Sequence, residues 1–198
     1  MQYQKIGNTD IEVSRVILGC ENSGGIGSVP SLLYAAVRLG ITTFDTADGY
    51  GCGRSETYIG NWLRKYDEKV RSNIVLSSKT YNPMFIGDSK RLSKERISKQ
   101  IDGTLERLGI KQLDMYLSHE RDDETPLEEI LSCFNELQKS GKVRANGASN
   151  INCEQLEKSI SICDDLDLNE NTLCFERISG NLPKWVNIFY YSEVKNCF

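Results

Sequence analysis

Asp45, Tyr50, Lys79 and His119 are side chains that, brought together, could protonate an oxygen. A free phenol, with a pKa of ~10, is a poor acid near neutrality, and a neighbouring ammonium strengthens it by stabilising the phenolate. Lys79 is the ammonium that could do this for Tyr50. Asp45, paired with Lys79, would hold that charge in place, and a neutral His119 could donate a hydrogen bond to a substrate oxygen. The reaction this set suits is protonation of an oxygen that is becoming an alkoxide. Each member alone has a structural reading: a loop anchor for Tyr50, a solvated strand end for Lys79, a turn or helix cap for Asp45, a structural histidine for His119. The case rests on their acting as a set.

The elements that must position these groups are legible as a repeat. Short apolar runs alternate with helical patterns, the signature of parallel strands joined by crossover helices. A hairpin over Tyr3 to Val13, turning at Gly7-Asn8-Thr9-Asp10, precedes strands at Arg15–Leu18, Ile41–Phe44, Ile74–Ser77, Leu113–Leu117 and Val143–Ala148. Helices are predicted at Ser31–Leu39 (about two turns), Ser55–Lys65, Ser93–Leu108, Pro126–Lys139 and Glu154–Cys163, the first ended by Gly40 and the third and fourth by Gly109 and Gly141. A run near Leu173-Cys174-Phe175 supplies a sixth strand. Reactive groups of a parallel barrel sit at the C-terminal ends of its strands. Asp45 and Tyr50 follow the second strand, Lys79 the third, His119 the fourth, and Ser149-Asn150 the fifth. Six strand–helix steps without a reversal favour an α/β fold of the (β/α)8 barrel type, incomplete at about six units and preceded by the hairpin. Residues 1–178 form this partial barrel. Residues 179–198, with Trp185, Phe189, Tyr190 and Tyr191 crowded together, form a diverged aromatic-rich tail.

Composition narrows the partners. The chain has 198 residues, 39% of them hydrophobic, which suits one domain with a real core. Its net charge is −4, with no basic cluster for a phosphate backbone, so nucleic acid is not an expected partner. No apolar run approaches the ~20 residues that span a bilayer, and the polar start Met1-Gln2-Tyr3-Gln4-Lys5 does not read as a signal peptide. A cytoplasmic protein without a membrane partner is expected. The seven cysteines form no C-x-x-C pair, and with one histidine they suggest reduced, mostly buried thiols and no metal site. Cys52, between two glycines, is expected on an exposed loop. The clusters Gly24-Gly25-Ile26-Gly27 and Gly51-Cys52-Gly53 do not complete G-x-G-x-x-G, because Pro30 and Glu56 stand at the third glycine position. A loop beside a cofactor suits the first cluster, and a turn beside Tyr50 the second. Arg54-Ser55-Glu56 should begin a helix and pair charges locally.

Asp45-Thr46-Ala47-Asp48-Gly49-Tyr50-Gly51, then Gly53-Arg54-Ser55-Glu56, Lys79 after a strand, Tyr116-Leu117-Ser118-His119, Gly141-Lys142-Val143-Arg144 and Gly147-Ala148-Ser149-Asn150 resemble, in order and spacing, the motifs of the aldo-keto reductase family. The resemblance runs from about Gly7 to Asn150. It implies reduction of an aldehyde or ketone to an alcohol with NADPH, or alternatively NADH, acting on a small-molecule carbonyl substrate. It further implies Tyr50 as general acid, Lys79 and Asp45 as its tuning partners and His119 as the donor that orients the carbonyl. Asp45, Ser149 and Asn150 fall to cofactor binding, the last two as ligands of the nicotinamide amide. From the residues alone, Asn150 is a candidate cap of the following helix. Two later features of the family, a glutamine at the sixth strand end and an adenosine-phosphate segment near the eighth, are not recognisable here: Ser179-Gly180 stand near the glutamine position. The competing readings are therefore a catalytically silent binding or regulatory module, self-associating through open barrel edges, and a truncated product without a function.

Overall fold

A computed structural model describes residues 1–7, 9–21 and 29–168, together with the backbone of two further strands, 173–176 and 186–187. The chain opens with an antiparallel hairpin of β1 (Tyr3–Lys5) and β2 (Glu12–Ser14), registered Tyr3 to Ser14 and Lys5 to Glu12. Its turn is held locally: Thr9 Oγ1 donates to the Ile6 carbonyl at 2.7 Å, and the Ile6 amide donates to the Ile11 carbonyl at 3.0 Å.

Six parallel strands follow in sequence order: β3 (Ile17–Gly19), β4 (Thr43–Asp45), β5 (Val75–Thr80), β6 (Leu113–Ser118), β7 (Val143–Ser149) and β8 (Leu173–Glu176). Between them run α1 (Val29–Arg38), α2 (Arg54–Leu63), a four-residue α3 (Glu68–Arg71), α4 (Lys94–Leu108), α5 (Leu127–Lys139) and α6 (Cys153–Asp165). Each strand pairs with its sequence neighbour and the order never reverses. A doubly wound sheet must reverse once, so the topology is that of a barrel, of which these are six of the eight strands. β9 (Val186–Asn187) lies antiparallel on the other side of β3, within the stretch expected to be a diverged tail; the remainder of that tail and the glycine cluster at 24–27 lie outside the described residues.

Alternation along the strands divides the core in two. Phe44, Leu76 and Tyr116 face outward and pack under Ile59 and Trp62 of α2, Ile97 and Ile101 of α4, and Phe134 of α5. Inward, Val75, Met115, Leu117 and Ala145 meet Ile6, Ile11 and Val13, so the hairpin closes the floor of the barrel. Burying these side chains at ~25 cal/mol per Å² of apolar surface is what holds a ten- to fifteen-residue helix against the sheet.

Helix ends follow local chemistry. Ser93 caps α4 by accepting from the Arg96 amide, and Gly109 ends it in the left-handed conformation at φ 70°. Two expectations are corrected. α1 has ten residues, nearly three turns, because it starts before Pro30, which suits a first-turn position. α3, too short to give a periodic signal in the sequence, is capped by Asp67, whose side chain accepts from the Val70 amide. The cap of α6 is Asn152 and not Asn150: Asn152 and Gln155 bond reciprocally at 2.8 and 2.9 Å in a full capping box, while Asn150 sits in the left-handed region at φ 55°.

Candidate active site

The mouth of the barrel, at the strand C-terminal ends, gathers the side chains singled out above. Lys79 stands on β5 with its side chain inward and 1% exposed. Its Nζ donates to Asp45 Oδ2 at 2.5 Å, to the Thr46 carbonyl at 3.2 Å and to Tyr50 Oη at 3.3 Å. An ammonium has three protons, and here each has an acceptor. Asp45, at the end of β4, is fully buried, so the pair is desolvated and each charge depends on the other.

Tyr50 reaches Lys79 because the chain after β4 turns back on itself. The Asp48 amide donates to the Lys79 carbonyl at 3.0 Å, the Tyr50 amide to Ala47 at 3.1 Å, and the Gly53 amide to Asp48 at 2.7 Å. Gly51, Cys52 and Gly53 all adopt positive φ, at 60°, 56° and 81°, which is why glycine flanks this tight turn. Cys52 is exposed on it. Since Oη accepts from Lys79, the phenolic O–H is directed away from the ammonium.

His119 directly follows β6, with its ring centroid 5.4 Å from that of Tyr50 in an edge-on arrangement at 75°. Burial, reinforced by the positive charges of Lys79 and Lys90, pushes it down to about 3, so the imidazole is neutral near pH 7. Its backbone is fixed at both polar atoms: its amide donates to Thr80 at 2.9 Å, and Asn150 Nδ2 donates to its carbonyl at 2.9 Å. Ser149 ends β7 and is buried; its Oγ has no hydrogen-bond partner among the described residues.

Several residues around the site carry contacts that the sequence did not assign to them. Asp48 is fully buried, accepts from Thr80 Oγ1 at 2.8 Å, and is pushed up to about 7, mainly by burial. Glu56 does not pair locally, as expected from Arg54-Ser55-Glu56, but with Arg107 of α4 at 2.6 Å, and it also accepts from Ser78 Oγ at 2.6 Å. Arg54 instead donates to the Gly51 carbonyl at 2.9 Å. Asn82, three residues beyond Lys79, lies with its amide nitrogen 3.0 Å from His119 Nδ1.

Fold and site together define a (β/α) barrel whose strand ends converge an acid–base set of Asp, Tyr, Lys and His. Residues 28–173 match the Aldo/keto reductase family, and the chain belongs to that family of oxidoreductases. It is 34% identical over 169 residues to aldo-keto reductase YhdN of Bacillus subtilis (strain 168), covering 79% of this chain and 49% of that protein. It is 35% identical to versiconal hemiacetal acetate reductase of Aspergillus parasiticus, over 76% of this chain and 51% of the relative. To the NADH-specific methylglyoxal reductase of Escherichia coli (strain K12) it is 32% identical, over 80% of this chain and 55% of the relative. The chain thus spans about half the length of these curated relatives.

The family implies a nicotinamide cofactor, and the donor set at the β7 end is chemically suited to one. A buried hydroxyl without a partner among the described residues, Ser149 Oγ, can both donate and accept, as a carboxamide requires. Asn150 beside it commits its NH2 group to the His119 carbonyl and retains a carbonyl oxygen. No helix of the described residues is long and apolar enough to cross a membrane.

Proposed function

We propose that this site reduces an aldehyde or ketone to an alcohol with NADPH, NADH being the alternative donor. The observation that carries the reading is the saturated, buried Lys79 ammonium, bonded at once to Asp45 and to Tyr50 Oη. When bound, the nicotinamide supplies hydride to the carbonyl carbon. The carbonyl oxygen, gaining negative charge, takes its proton from Tyr50 Oη. The phenolate left behind lies 3.3 Å from Lys79 Nζ, which stabilises it, and Asp45 keeps the ammonium in place. His119, neutral because it is buried, serves as a hydrogen-bond donor to the carbonyl oxygen and not as the acid. Ser149 and Asn150 orient the cofactor's carboxamide. Residues 1–178 act as the barrel unit, 179–198 as an appended segment, and the protein works in the cytoplasm on a small carbonyl compound.

Purified protein should oxidise NADPH in the presence of small aromatic aldehydes. Absence of turnover over a panel of aldehydes and ketones, with either cofactor, would overturn the proposal. A second reading, a self-associating module without catalysis, draws on the sheet edge: β8 pairs with β7 and with no other strand among the described residues. Concentration-dependent association in size-exclusion chromatography, with no NADPH affinity, would favour it.

A further inference from the structure

His119 is reached from the side by a chain of polar contacts that begins outside the four reacting groups. Asn82 Nδ2 lies 3.0 Å from His119 Nδ1. Arg96, in the first turn of α4, donates from Nη2 to the Asn82 carbonyl at 2.6 Å and from Nη1 to Asp88 Oδ1 at 2.7 Å. Asp88 in turn accepts from the Met84 amide at 2.9 Å and the Ser89 amide at 3.0 Å. The Arg96–Asp88 pair is only 10% and 13% exposed, so it pins the segment after β5 to the start of α4. On its other side Asn82 packs against the Tyr50 turn, where a Cβ added at Gly49 would stand 2.9 Å from Asn82 Cβ.

We propose that Asn82, clamped by Arg96 and Asp88, is a positioning residue that selects the tautomer of His119. An amide nitrogen can only donate, so the ring nitrogen it faces must present a lone pair. In a neutral imidazole the proton then sits on Nε2, and Nε2–H becomes the ring's single donor. With the His119 backbone held by Thr80 and Asn150, ring orientation and proton placement are what remain to be set, and Asn82 sets both. The functional consequence rests on the donor role of His119 proposed above; the tautomer itself does not.

The chain has a single histidine, so selective 15N-histidine labelling gives one pair of ring nitrogens to read. In wild type at neutral pH, Nδ1 should show the shift of an unprotonated nitrogen and Nε2 that of a protonated one. Asn82→Asp, which replaces the donor by an acceptor of equal size, should place a proton on Nδ1, and Asn82→Ala should leave a mixture. With an aldehyde substrate, Asn82→Asp should lower kcat by about 10²-fold with little change in KM, the scale of losing one donor to a developing oxyanion. Should Asn82→Ala not fold, Asn82→Asp carries the same reading. A wild-type ring protonated on Nδ1, or an Asn82→Asp ring still bare at Nδ1, would overturn the assignment. A correct tautomer in a protein without turnover would instead count against the reductase reading alone.

Discussion

Replacing Asp45 by Asn should be costly out of proportion to its size. The change removes the carboxylate bonded to the Lys79 ammonium, which is 1% exposed; the Thr46 carbonyl and Tyr50 Oη, which also accept from it, are neutral. Breaking a buried pair from one side costs about 3–5 kcal/mol, because the surviving charge stays desolvated. A domain of this kind has a total stability of about 5–15 kcal/mol, so a large share is lost, and at about 2–4 °C per kcal/mol the melting temperature should fall by roughly 6–20 °C. Urea unfolding followed by tryptophan fluorescence measures it, since Trp62 is buried with its ring centroid 5.7 Å from that of Phe44. The decisive companion is the double variant Asp45→Asn with Lys79→Met, which removes both charges of the pair and should be more stable than Asp45→Asn alone. A single-variant loss under about 1 kcal/mol, or losses that simply add in the double variant, would refute the coupling.

Three further outcomes follow from other contacts. Gly60 lies where α2 crosses α4, and a Cβ there would collide with the Arg107 carbonyl and approach Leu108 O to 2.8 Å; Gly60→Ala should destabilise by about 3 kcal/mol or more in chemical denaturation despite its better helix propensity. Arg107→Met leaves the fully buried Glu56 carboxylate with Ser78 as its side-chain partner, and should cost about 3 kcal/mol in the same assay. For pH, Asp48 is raised from 3.8 to about 7, so the folded state keeps a proton that the unfolded state releases, and stability is lost as pH rises through this window. His119 is lowered from 6.5 to about 3, so the unfolded state takes up the proton first, and stability is lost as pH falls from 6.5 towards 3. The two oppose each other between about pH 4 and 6.5. Asp48→Asn removes one, so its stability relative to wild type should rise with pH by about 1.4 kcal/mol per unit between pH 4 and 7; a pH-independent difference would contradict the assignment.

Much of this architecture was legible because it is periodic. Strand-length apolar runs located β4 to β8 within a few residues, and parallel topology placed Asp45, Lys79, His119 and Ser149 at one end of the sheet. What escaped was non-periodic or long-range. The Glu56 partner lies 51 residues away and the Lys94 partner, Glu136, 42 residues away, separations on which local charge spacing carries no information. Asn152, two residues beyond the Asn150 expected to cap α6, is its cap because Asn150 takes the left-handed region while Asn152 stays extended. Asn82 and Asp48 are ordinary polar residues in sequence; their standing comes from the partners that neighbouring elements present to them and, for Asp48, from burial.

Tyr50→Phe separates binding from turnover and so probes the proposed role of Tyr50 as the proton donor of a nicotinamide-dependent carbonyl reductase. NADPH titrated against wild type and variant, followed by tryptophan quenching, should give matching affinities, because the phenol O–H is proposed to act only on the substrate oxygen. Turnover of a small aromatic aldehyde should fall by about 10²–10⁴-fold in the variant, the range for losing a general acid. A variant that reduces the aldehyde at the wild-type rate would rule out Tyr50 as the acid.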